Sequence, residues 1–92
     1  MALPDKFRIV VTEQLFTTPA PPHPPQYGAC SGHKSALVRF RRTVGLPPGV
    51  KLVCSDYKHH SDGSSHYEFK FKASGQYIGC VDVYPTQEGE EA

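Results

Sequence analysis

The stretch "VKLVCSDYKHHSDGSSHYEFKFKASGQYIGCVDVY", residues 50–84, decides the fold. It holds three runs of β-branched and aromatic residues, "VKLVCSDY", "HYEFKFKA" and "QYIGCVDVY", joined by "KHHSDGSS" and "SG". Runs of this kind bounded by Gly, Ser and Asp predict a three-strand antiparallel meander. A two-residue turn at Ser74-Gly75 sets Phe71 opposite Ile78, Phe69 opposite Cys80 and Tyr67 opposite Asp82. The other hairpin must bring apolar residues to the same face, so Leu52 meets Phe71, Cys54 meets Phe69 and Asp56 meets Tyr67. Cys54 and Cys80 then both point inward, two strands and roughly 9–10 Å apart, too far for a disulfide. Asp56, Tyr67 and Asp82 form a polar row at the sheet end. The opposite, open face carries Lys51, Val53, Ser55, Tyr57, His66, Glu68, Lys70, Lys72, Tyr77, Gly79, Val81 and Val83.

Upstream, "KFRIVVTEQLF" alternates Phe7, Ile9 and Val11 with Arg8, Thr12 and Gln14, a first strand that joins the meander. "TTPAPPHPPQYG", 17–28, has five prolines in seven positions; it is a stiff connector that can be neither helix nor central strand. "GHKSALVRFRRTVG" is compatible with helix or strand. As a helix it gathers Ala36, Leu37, Phe40 and Val44 on one stripe, with Ser35 at the N-cap and Gly45 as the stop. As a strand it divides its apolar residues poorly, so a helix is expected. The expected architecture is one α+β domain over residues 1–92, β-α-β-β-β. A four-stranded, mainly antiparallel sheet carries one short helix on one face, and an acidic, disordered tail occupies 86–92.

Ninety-two residues, 38% apolar and 21% charged, make one small globular domain. Three cysteines are an odd and sparse set, no Asn offers an N-glycosylation acceptor, and Pro4, Asp5, Lys6 and Arg8 interrupt any leader-like apolar run. A cytoplasmic, reducing setting without a membrane segment is expected. Ten bases meet five acids in residues 1–72 (+5), whereas residues 73–92 carry four acids and no base. A basic body of this size attracts an acidic protein face or nucleic acid without making nucleic acid the default.

Five readings are compatible with these residues. Cys30, His33, Cys54 and His59 form two Cys/His pairs of zinc-compatible type, although Cys54 is expected to point away from the loop. His59, His60 and His66 flank one turn and are the residues a metal-independent nuclease would use for acid–base work, but "SDGSS" is also ordinary turn chemistry. Asp56 and Asp82 are a candidate carboxylate pair, with hydrogen bonding to Tyr67 the plainer role. Tyr57 and Tyr77 on an open sheet, with Lys51, Lys70, Lys72, Arg39, Arg41 and Arg42, could stack bases and meet phosphates, or anchor a partner protein. No catalytic motif is present and no cofactor is called for. The expectation is therefore a small non-enzymatic binding protein, of the inhibitor or adaptor type that phages encode. It would dock a protein partner through Tyr57, His66, Lys70, Lys72, Tyr77, Lys51 and the three arginines, with nucleic acid as the other partner class.

Overall fold

A computed structural model describes residues 7–14 and 22–86. Elements run β1 (Phe7–Glu13), β2 (Gln26–Gly28), α1 (His33–Val44), β3 (Leu52–His59), β4 (Ser65–Phe71) and β5 (Tyr77–Pro85). The sheet is antiparallel throughout, in the order β2-β1-β5-β4-β3, with α1 packed on one face. It has five strands rather than four. The additional strand is the proline-free end of the Pro-rich run, where Gln26 and Tyr27 supply the N–H groups that the preceding prolines lack. The 17–21 portion of that run and residues 87–92 of the acidic tail lie outside the described residues. No described helix is long and apolar enough to cross a membrane.

The helix forms as its apolar stripe predicts, though its N-cap is Gly32 rather than Ser35 and it runs from His33. Ala36 and Phe40 are fully buried, and Leu37 and Val44 pack beside them. Gly45 takes a left-handed φ of 82° and its N–H bonds the Arg41 carbonyl at 2.9 Å, closing the helix. Arg41 and Arg42 in the last turn complement the helix dipole. Arg39 bonds Gln26 Oε1 at 3.1 Å, and Gln26 donates to Thr43, so α1 is tied to β2.

Two registers differ from expectation. In the β3–β4 hairpin, Leu52–Phe71 and Cys54–Phe69 pair as predicted, but a bulge at Ser55 then sets Asp56 opposite Glu68 and Tyr57 opposite Tyr67. Beyond the bulge every side chain changes face. Between β4 and β5 the turn holds four residues, not two: Phe71 N–H bonds Gln76 O and Gly75 N–H bonds Phe71 O, both at 2.9 Å. A bulge at Ile78 follows, and the net shift is one residue, so Phe69 meets Gly79 and Tyr67 meets Val81. Because the side-chain period in a strand is two, this slip sends Val81 and Val83 under the helix and turns Cys80 and Asp82 outward.

The core is built around Phe40, whose ring lies 5.4 Å from that of Phe69, with Ile9, Val11, Ile78 and Val81 also fully buried. Phe40 reaches the sheet at Gly79. A β-carbon there would come within 2.7 Å of the Phe40 ring and collide with the Thr12 carbonyl, at a backbone φ of 147° that side chains disfavour. Gly79→Ala should therefore cost at least about 2 kcal/mol from overpacking and backbone strain. Thermal denaturation should show a fall of roughly 10 °C or more. Gly49→Ala, with nothing within 4 Å of the added atom, should stay within about 0.5 kcal/mol of the parent; equal melting of the two variants would refute the close-contact account.

Candidate functional site

With β5 in this register the open face presents two short patterns side by side: His66-x-Glu68 on β4 and Cys80-x-Asp82 on β5. His66 lies opposite Asp82, and Glu68 opposite Cys80. The His66 ring bonds at both nitrogens, Nδ1 to Asp82 Oδ1 at 2.6 Å and Nε2 to Glu68 Oε2 at 3.0 Å. Only an imidazolium donates from both nitrogens, so this arrangement holds the charged ring. Partial burial pulls the His66 pKa down, but the hydrogen bonds to Asp82 and then Glu68 outweigh it and hold the group above its ordinary value. Across β3, Lys58 is next in the row.

Cys80 Sγ lies 3.9 Å from Asp82 Oδ2, and the Tyr77 and Thr12 side chains also bond the sulfur. Burial, then the Asp82 charge, pushes the Cys80 thiol up. It is therefore not an activated nucleophile, despite a histidine and a carboxylate nearby. Burial likewise raises Tyr77 well above the normal phenol range, so its hydroxyl stays a donor. Among the described residues, His66, Cys80 and Asp82 are the group of three or more ligand-type side chains whose donor atoms lie close together, all within 4.8 Å.

The helix side holds a second surface. The bulge at Ser55 turns Tyr57 onto this face, where its ring stacks 5.2 Å from that of buried Tyr67 while Tyr57 itself stays 53% exposed. Two adjoining hollows of 420 and 610 Å³ share Ser31, Tyr57 and Tyr67. The first continues to His33 and Cys54, the second to Phe7, Cys30, His59 and Pro85. At the hairpin tip the Asp62 carboxylate accepts from Ser64 N–H at 2.9 Å and Ser64 Oγ at 2.6 Å, while Gly63 takes a φ of 92°. Those bonds hold the Asp62 carboxyl below its usual range, and "SDGSS" is turn chemistry as expected.

The expected binding set is thereby divided. His66, Lys70 and Tyr77 share the open face, whereas Tyr57 and the helix residues Arg39, Arg41 and Arg42 lie on the other. Arg39 also bonds Ala29 O, and Arg41 bonds Pro47 O at 2.8 Å. Lys51 and Lys72 sit together at the sheet end away from the hairpin tip, the Lys72 N–H bonding Lys51 O. The three histidines of the nuclease reading do not converge: His59 bonds Ser65 Oγ at 2.8 Å on the helix side, His60 is exposed in the turn, and His66 is on the open face. Cys30, His33, Cys54 and His59 border the hollows without forming a close ligand group, and the Cys54 thiol bonds Asp56 O at 3.2 Å. Asp56 and Asp82 do not flank Tyr67; they pair with Glu68 and His66. Cys80 is not a core thiol, and all three cysteines are free.

The His-x-Glu and Cys-x-Asp pair is visible in the sequence only once β5 is in register. The signal for that register is Gly79, since a lone glycine inside a strand marks a bulge or a close backbone approach. No protein-family model matches the chain, and no curated protein or solved structure matches it.

Because the folded-state pKa of His66 is raised, its stabilisation is fully present below the unfolded value of about 6.5 and is lost as pH rises through the folded value. In chelator-containing buffer, the melting-temperature advantage of the parent over His66→Gln should therefore shrink as the pH rises above about 6.5. A difference independent of pH would show that the two carboxylates do not hold the charged ring.

Proposed function

We propose that this protein is a non-enzymatic binding protein of inhibitor or adaptor type, acting in a reducing, cytoplasmic setting, that docks a protein partner at its hairpin tip. The carrying observation is Tyr57: an aromatic ring 53% exposed, backed by a buried tyrosine, at the mouth of two adjoining hollows. A rigid, half-desolvated aromatic beside an apolar hollow is the composition of an interface anchor. The occupant that fits is an apolar or aromatic side chain of the partner, rimmed by His33, His59 and Ser31.

Capture by strand addition has less support, although β3 is an edge strand. At its bulge the backbone groups are satisfied locally, Tyr57 N–H by the Asp56 carboxylate at 2.8 Å and Asp56 O by the Cys54 thiol. A bulge followed by charged residues, here Asp56 and Lys58, blunts an edge against pairing. Nucleic acid on the open face also has less support. The Glu68 and Asp82 carboxylates occupy its centre, Tyr77 is engaged with Cys80, and Tyr57 faces away.

A photo-reactive residue at position 57 should cross-link a protein from nuclease-treated lysate, whereas the same probe at position 70 should not. Tyr57→Ala should lower retention of that protein roughly 30-fold, the loss of one hot-spot residue, while the loss of the ring contact with Tyr67 costs only about 1 kcal/mol of stability and leaves the protein folded. Retention unaffected by Tyr57→Ala, or abolished by nuclease treatment, would overturn the reading.

A further inference from the structure

We infer that His66, Cys80 and Asp82 form a zinc-binding site on the open sheet face, with Glu68 orienting the histidine. The inference is independent of the groove on the helix side. It rests on four side chains that the β4–β5 register brings into one square, with the three donor atoms of His66, Cys80 and Asp82 already within 4.8 Å of one another.

The donors are one imidazole nitrogen, one sulfur and one carboxylate oxygen. That mixture suits a borderline ion such as Zn²⁺ and not the hard, all-oxygen preference of Mg²⁺ or Ca²⁺. Tetrahedral zinc bonds of about 2.0–2.3 Å place ligand atoms roughly 3.3–3.6 Å apart. His66 Nδ1 and Asp82 Oδ1 are closer than that at 2.6 Å, and Cys80 Sγ and Asp82 Oδ2 are slightly farther at 3.9 Å. Entry of the ion therefore needs side-chain shifts on the order of 1 Å.

Glu68 supports the assignment. A metal-bound histidine commonly donates its other ring N–H to a carboxylate, which fixes the tautomer and ring orientation. Here Nε2 already points at Glu68 Oε2, leaving Nδ1 to face Asp82 and the Cys80 side. Charge also balances: on binding, the Nδ1 proton and the Cys80 thiol proton pass to solvent, and Zn²⁺ meets one thiolate and one carboxylate. The sulfur is braced by Tyr77 and Thr12. The histidine and aspartate side chains are 23% and 27% exposed, so the fourth position opens to water on a face the helix does not cover.

The test is titration of the chelator-stripped full chain with Co²⁺, followed by displacement with Zn²⁺. One equivalent should saturate the protein, and a thiolate-to-cobalt charge-transfer band should appear and vanish when Zn²⁺ is added. Cys80→Ser and Cys80→Ala should both lack the band, while Cys30→Ser, Cys54→Ser and Tyr57→Ala keep it. His66→Ala and Asp82→Asn should lower affinity more than about 10-fold, and Glu68→Gln about 10–100-fold with the band retained. The site is refuted by a band that survives Cys80 replacement, by one lost in Cys54→Ser instead, or by no saturable binding below about 1 mM metal.

Discussion

Phe40 occupies the space that a β-carbon on Gly79 would fill, and most of the molecule follows from that contact. A ring this deep in the sheet needs a strand position with no side chain, and position 79 supplies it. Once the Phe40 ring sits over Gly79 and against Phe69, β5 is confined to one register. Val81 and Val83 then go inward with Ile9 and Val11. A one-residue slip would replace Gly79 with Ile78 or Cys80 under the ring and expose the valines, so hydrophobic burial and steric exclusion select the same pairing.

That register also composes the open face. One helix cannot cover both sides of five strands, so one side must be compatible with water. Here it is built from groups that satisfy each other: His66 between two carboxylates, Cys80 against Asp82, and Arg8 4.6 Å over the Tyr84 ring. No buried side-chain nitrogen or oxygen among the described residues is left without a partner. A face whose central charges are engaged with one another, two of them carboxylates, is a poor acceptor for phosphate and a good one for a cation.

The large features were legible because they follow from strong periodic signals. The Ala36-Leu37-Phe40-Val44 stripe and Gly45 marked the helix, the alternation around Ile9 and Val11 marked β1, and the Leu52–Phe71 and Cys54–Phe69 pairs were correctly placed. β2 was hidden because three residues after a proline run carry no periodicity. The faces of β5 and of the second half of β3 were misplaced for one shared reason: each depends on a bulge. A bulge inserts one residue at small local cost, so composition barely marks it, yet it inverts every side chain beyond it. At Ser55 the surroundings are solvent and nothing in the sequence points to it. At Ile78 the neighbouring Gly79 did, and an inward-facing Cys80 in place of Val81 and Val83 was the poorer burial.

The bulge at Ser55 also explains where recognition falls. A twelve-residue helix spans about 18 Å, whereas the eight residues of β3 extend about 26 Å, so the far half of the β3–β4 hairpin outruns its cover. Burial along β3 drops accordingly, from half-buried over Leu52–Cys54 to exposed from Ser55 onward. Without the bulge, Tyr57 would stand on the open face opposite His66. With it, Tyr57 turns beneath the overhang and rests on Tyr67, whose own position is fixed by pairing with Val81. The exposed aromatic is therefore held by the core that the Phe40–Gly79 contact organises. The two surfaces of the protein, one polar and mutually bonded, the other hollow and aromatic, are opposite faces of one register.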